Sequence, residues 1–183
     1  MMTLMLTWPE EIMLKLLESI ENSLTAENWY SALALSLVLP DICGKAEGKP
    51  QGRMRYIEWF DKYLATTYQG FLSGRDCYAL RCSFLHEGSD AIETQQAREV
   101  VDRFFFIPKG PHCNSIGNSI VGDPLFDQKE ILQLSVDQFC KDFVEAAKKW
   151  LTDNAGSSIV QDNLEHLIKI HEGKARIGGI SFT

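Results

Sequence analysis

The stretch from Ala32 to Leu39, ALALSLVL, constrains the fold more than any other part of this 183-residue chain. It continues a helical spacing set by Trp29, Leu33 and Leu37, and nearly every position in it is apolar. A helix of that kind has no polar face to offer to water and must be surrounded by other elements. With Ser36 inside it, the run is too short to cross a bilayer. The chain is therefore expected to be a helical bundle built around this segment, with Thr25 as the helix cap and Pro40 as its end.

The neighbouring sequence supplies the partners. A first helix is expected after Thr7, with Pro9 in its first turn and Ile12, Leu16, Leu17, Ile20 and Leu24 at helical spacing. The Gly- and Lys-rich residues Gly44 to Gly52 read as a loop, and a third helix as spanning about Met54 to Tyr68. Ser73, followed three residues later by Asp76, reads as the cap of a fourth helix that Gly88 terminates. Ser135 caps a long helix through Phe139, Phe143, Ala147 and Trp150, and a last helix is expected over about Ser158 to His171.

Between the fourth and fifth helices the pattern changes. Val100 to Ile107 reads as a strand, Pro108 to Pro111 as a turn, and Ile116 to Val121 and Lys129 to Leu134 as two further strands. The expected architecture is mainly α: one helical domain over 1–172, a small β-hairpin or three-stranded insertion at about 99–134, and a loosely ordered tail over 173–183.

A net charge of −7 and a pI near 5.1 argue against a protein that grips nucleic acid by charge alone. The loop nevertheless concentrates Lys45, Lys49, Arg53 and Arg55 against Glu47, which suits a short anionic ligand as well as plain solvation. Five cysteines at irregular spacing fit reduced thiols. The residues Met1 to Thr7 lack a basic leader region, so a cytoplasmic protein with no membrane segment is expected.

The segment with most chemical content is SGRDCYALRCSFLHEGSD, from Ser73 to Asp90. On a helix Arg81 has Cys77, Tyr78, Phe84 and Leu85 as neighbours three and four positions away, all apolar or aromatic. A guanidinium there needs an acidic partner such as Asp41, Asp61 or Glu58, an aromatic face, a second subunit or a ligand. His86 starts about 140° around the helix from Arg81, so the two converge if the helix frays or if a second subunit brings its own copy alongside. Ala79, Cys82 and Ser83 lead to His86 and are small enough to admit a close helix contact.

The hexapeptide Arg81-Cys82-Ser83-Phe84-Leu85-His86 resembles the Arg-x(4–6)-His signature of the HEPN superfamily, in the helical setting that family uses. The resemblance implies a HEPN-like bundle acting as a homodimer, and a metal-independent endoribonuclease of the toxin or phage-defence kind that needs no cofactor. It implies RNA as substrate and an antitoxin-type protein as partner. It makes Arg81 the holder of the scissile phosphate and His86 the proton-transfer group, with Arg53, Arg55, Arg75 and Ser83 as candidate substrate contacts. Cys82 stands where active members usually carry a polar residue, which gives a second expectation, a non-catalytic binding or scaffold module.

Other constellations are weaker. Cys82 and His86 are four residues apart and could form a nucleophile pair, but no orienting third residue is identifiable. Neither His112-Cys113 nor His166 with His171 has a metal-ligand spacing. Gly44 to Pro50 is one residue short of a phosphate-binding loop and has Pro50 where Ser or Thr would bind magnesium. The simplest reading of Phe104-Phe105-Phe106 is strand and core; an exposed aromatic edge for stacking bases is the other.

Overall fold

The computed structural model describes residues 8–96, 98–113, 130–170, 175–177 and 180–182. The chain is mainly helical with a small β insertion. Helix α1 (Trp8–Thr25) is followed by α2 (Trp29–Ala46), α3 (Arg53–Tyr63), the single turn α4 (Ala65–Tyr68) and α5 (Gly74–Glu87). Strands β1 (Arg103–Ile107) and β2 (Ile131–Ser135) precede α6 (Val136–Asn154) and α7 (Ser158–Leu164). Two short strands, β3 (Ala175–Ile177) and β4 (Ile180–Phe182), pair antiparallel where a loosely ordered tail was expected.

Helix α2 is the hub, as its apolar run requires. It packs against α1, α3, α5, α6 and α7, and Ala32, Leu33, Leu37, Leu39 and Cys43 are buried along it. Two expectations about this helix are corrected. Thr25 is the last residue of α1, its hydroxyl bonded to Glu21 O, while Asn28 caps α2 by accepting from the Ser31 amide at 3.4 Å. Pro40 does not stop the helix either; it is buried within it, and α2 continues to Ala46. A proline inside a helix costs about 3 kcal/mol. Burying Leu39, at roughly 1.5–3 kcal/mol, with smaller gains from Cys43 and Ala46, on a helix packed from several sides offsets that.

The third helix is shorter than expected. It ends at Tyr63, and α4 forms a separate turn after the buried Leu64. Trp59 and Phe60 of α3 meet Phe143 of α6, whose ring lies 4.6 Å from that of Phe139, which fixes the aromatic centre of the bundle.

Strands β1 and β2 run parallel, with Phe104 opposite Leu132 and Phe106 opposite Leu134. A tight hairpin turn cannot set strands parallel; here the chain leaves β1 through the Pro108 turn and Cys113 returns to bridge Gln133 on the far edge of β2. The free edge of β1 is filled as well, because Phe104 N donates to Asp90 O and Ile92 N to Asp102 O. The expected strand at Ile116 to Val121 lies outside the described residues.

Two side chains fasten this insertion to α5. The Ser83 hydroxyl, fully buried, donates to Ala91 O at 2.8 Å. Asp76 accepts from the Ser73 hydroxyl at 3.1 Å and from the amides of Glu99 at 2.6 Å and Val100 at 3.3 Å.

Candidate functional site

Helix α5 carries the site, and its ends form as the sequence demands. The Ser73 hydroxyl accepts from Asp76 N at 3.1 Å, and Gly88 closes the helix at φ 66°, a left-handed conformation natural to glycine. The helix is intact from Gly74 to Glu87, so nothing frays at His86. Arg81 Nη1 nevertheless lies 2.9 Å from His86 Nε2. The long guanidinium stem spans the angular gap, and the two motif residues meet within a single chain.

The direction of that hydrogen bond is fixed by chemistry. Arginine has only donors, so Nε2 must accept, and His86 in this arrangement is a neutral imidazole with its proton on Nδ1. The His86 ring is exposed.

Beneath Arg81 lies Asp41 of α2. Arg81 Nε stands 3.1 Å from Asp41 Oδ2, while Arg55 Nη2 of α3 donates to Asp41 Oδ1 at 3.2 Å. One carboxylate thus sits between two guanidiniums, with side-chain exposures of 12%, 19% and 23% for Arg55, Asp41 and Arg81. The cluster keeps one positive charge in excess. The Arg81 Nε–H is close to Asp41 Oδ2 as an ion pair but is not aligned as a hydrogen bond, and the buried Arg55 Nε–H makes none among the described residues. Gly44, one turn beyond Asp41, permits the arrangement: a Cβ there would lie 2.3 Å from Arg55 Cγ.

Aromatic rings close the cluster from below. Tyr56 is buried and stacks edge-on against Tyr78 at 5.5 Å, and its hydroxyl meets Cys77 Sγ at 3.4 Å. Burial pushes the Tyr56 hydroxyl well up and the Cys77 thiol up to about 12, so neither ionises near neutrality. Tyr78 is raised as well, first by desolvation and then by its hydrogen bond to Cys82. His86 Nε2 is taken by Arg81, and no hydrogen bond joins Cys82 to His86 among the described residues.

The remaining candidates are dispersed. Arg55 joins Arg81 through Asp41. Ser83 is buried, and its hydroxyl donates to Ala91 O. Arg53 is exposed at the start of α3, and Arg75 is exposed in the first turn of α5, where it faces Asp61. No hydrogen bond or ion pair among the described residues ties either to Asp41. The basic loop is largely neutralised, since Lys49 lies 3.2 Å from both Glu47 and Glu58. Asp41 was legible only as one of three acidic candidates, and Gly44 gave no signal in the sequence.

A second polar cluster is built from His112, Ser135 at the end of β2, Tyr68 of α4 and Asp142 of α6. Ser135 N donates to His112 Nδ1 at 3.2 Å, and Asp142 accepts from the Tyr68 hydroxyl at 3.1 Å and from Gln138 at 2.8 Å. His112 Nε2 stands 3.9 Å from Asp142 Oδ2. Desolvation lowers the His112 pKa despite the opposing pull of Asp142.

No known protein family, curated protein or solved structure matches this chain. No described helix is long and apolar enough to cross a membrane. No group of three His, Cys, Asp or Glu side chains among the described residues could hold a metal ion.

Proposed function

We propose that this chain is a HEPN-type endoribonuclease that acts as a cytoplasmic homodimer, its two Arg81–His86 pairs facing one RNA phosphate. The observation that carries the reading is the 2.9 Å contact between Arg81 Nη1 and His86 Nε2 on an exposed helix face, backed by the Asp41 ion pair that orients Arg81. A guanidinium matches phosphate geometry, and an imidazole exchanges protons near neutral pH.

When a phosphate oxygen replaces Nε2 as the acceptor of the Arg81 Nη1–H, that nitrogen is free to take the proton of the 2′-hydroxyl. The 2′-oxygen then bonds to phosphorus, and the bond from phosphorus to the 5′-oxygen breaks. The partner copy of the same histidine, protonated, gives its proton to the leaving 5′-oxygen. Arg81 balances the charge that develops on the phosphoryl oxygens. The products are a 2′,3′-cyclic phosphate and a 5′-hydroxyl, and the chemistry calls for no metal. Purified protein incubated with RNA in EDTA is expected to release such ends, and His86→Ala to release none.

The two-sided hold on Asp41 favours a second reading, a non-catalytic HEPN-like binding or scaffold module in which Arg81 keeps α2, α3 and α5 in register. In that case Arg81→Lys leaves every activity unchanged and lowers only stability.

A further inference from the structure

Phe84 and Gly88 lie on the same face of α5 as Arg81, about one and two turns toward its C-terminus. They form one wall of an open groove of about 670 Å³, a volume typical of sites for small organic groups. Trp29 and Tyr30 from the start of α2 and Phe105 and Phe106 from β1 supply the facing walls. Tyr30 is 78% exposed and Phe105 42% exposed, so flat aromatic surface is presented to solvent around the groove. Arg103 and Asp90 also line it, with Arg103 Nη1 3.3 Å from Asp90 Oδ1. The buried Arg103 Nε–H has no hydrogen-bond partner among the described residues. Lys109 Nζ sits 5.4 Å over the Trp29 ring beside the groove and is paired there with Glu27 Oε1 at 2.7 Å.

We propose that this groove is a nucleobase subsite, seating a base of single-stranded RNA beside the phosphate held at Arg81; it rests on the RNA reading above and extends it. Aromatic walls offer stacking surface that any base can use. Arg103 and Asp90 place a donor and an acceptor side by side, the pattern that base edges present. One to two helix turns, about 5 to 10 Å, separate Arg81 from the groove wall, a gap that one nucleotide spans from phosphate to its own base. A peptide adding as a strand has no place here, because β1 is paired with β2 on one edge and with residues 90–92 on the other.

The test uses the full chain and a fluorescein-labelled, mixed-sequence DNA octamer, which binds a base subsite but lacks the 2′-hydroxyl needed for cleavage. Fluorescence anisotropy is expected to show binding by wild type and by His86→Ala. Tyr30→Ala and Phe105→Ala are exposed-site changes expected to keep the wild-type melting temperature and to weaken binding by about tenfold or more each. Octamer binding unaltered in both variants overturns the subsite, even if RNA is still cut. Octamer binding weakened in both variants, with wild type inert on RNA, upholds the subsite and removes the nuclease reading. No octamer binding by wild type, or binding only of a Trp- and Leu-rich peptide, overturns the proposal.

Discussion

Arg81 and His86 meet within a single intact helix, Nη1 to Nε2 at 2.9 Å, although their positions on α5 point about 140° apart. The reach of the arginine stem closes the gap, and Asp41 decides the direction of that reach by holding Nε at 3.1 Å. A pair joined in this way is neutral at the histidine and positive at the guanidinium. On the proposed reading, a phosphate that takes the Arg81 donor leaves His86 Nε2 to accept a proton.

Asp41 is the counter-charge of two guanidiniums, so its loss is felt by both. Asp41→Asn keeps the shape but leaves two half-buried guanidiniums facing each other without their counter-charge. Stability should fall by about 2 kcal/mol, less than for a fully buried pair because all three side chains are partly exposed. Urea denaturation gives this number, and an unchanged midpoint would show that the clamp does not matter to the fold.

Gly44→Ala sets two effects against each other. The helix gains about 1 kcal/mol from replacing glycine, but the new Cβ meets Arg55 Cγ at 2.3 Å and must push the side chain off Asp41. Because the obstructing atom belongs to the stem of Arg55 and not its tip, the steric term should win. A net loss of about 1 kcal/mol is expected in thermal melts; a stabilised variant contradicts the arrangement.

Asp76→Ala removes the carboxylate that joins the first turn of α5 to the amides of Glu99 and Val100. Orphaning these donors should cost about 3 kcal/mol. Hydrogen exchange should quicken at Glu99 and Val100 before it quickens in α6. Uniform acceleration along the chain would instead mean that the insertion is not separately anchored.

His112 makes stability depend on pH. Its folded pKa lies below the ordinary 6.5 because of desolvation, so on acidification the unfolded chain takes up the proton first. Its contribution is complete above about pH 6.5 and is lost as the pH falls through the folded pKa. Protonation also removes the acceptor of the Ser135 amide. Comparing wild type with His112→Asn at pH 7.5 and pH 5 should show a smaller acid loss in the variant, and equal losses would contradict the assignment.

Local chemistry was the legible part of this chain. Ser73 and Ser135 cap their helices and Gly88 ends α5, because caps depend on a few residues in sequence. The apolar run of α2 gave the hub of the bundle for the same reason. Pro40 misled because the burial that carries α2 through it comes from helices far away in sequence. The parallel register of β1 and β2 follows from the path between them and not from either strand's pattern. At the site, the sequence marked Arg81 as needing an acidic partner but could not choose among Asp41, Asp61 and Glu58. Lys49 takes Glu58, Asp61 lies against Gly74 at the other end of α5, and only Asp41 reaches Arg81.

The most direct test of the account compares wild type, Arg81→Lys and His86→Ala on a mixed RNA pool in EDTA, scoring fragments with 2′,3′-cyclic phosphate ends. Lysine keeps the charge but cannot hold Asp41 and His86 together, so Arg81→Lys should cut about a hundredfold more slowly. His86→Ala should not cut at all, and both should melt within a few degrees of wild type. Wild-type protein that releases no such ends, or variants that cut as fast as wild type, would contradict a nuclease built on Arg81 and His86.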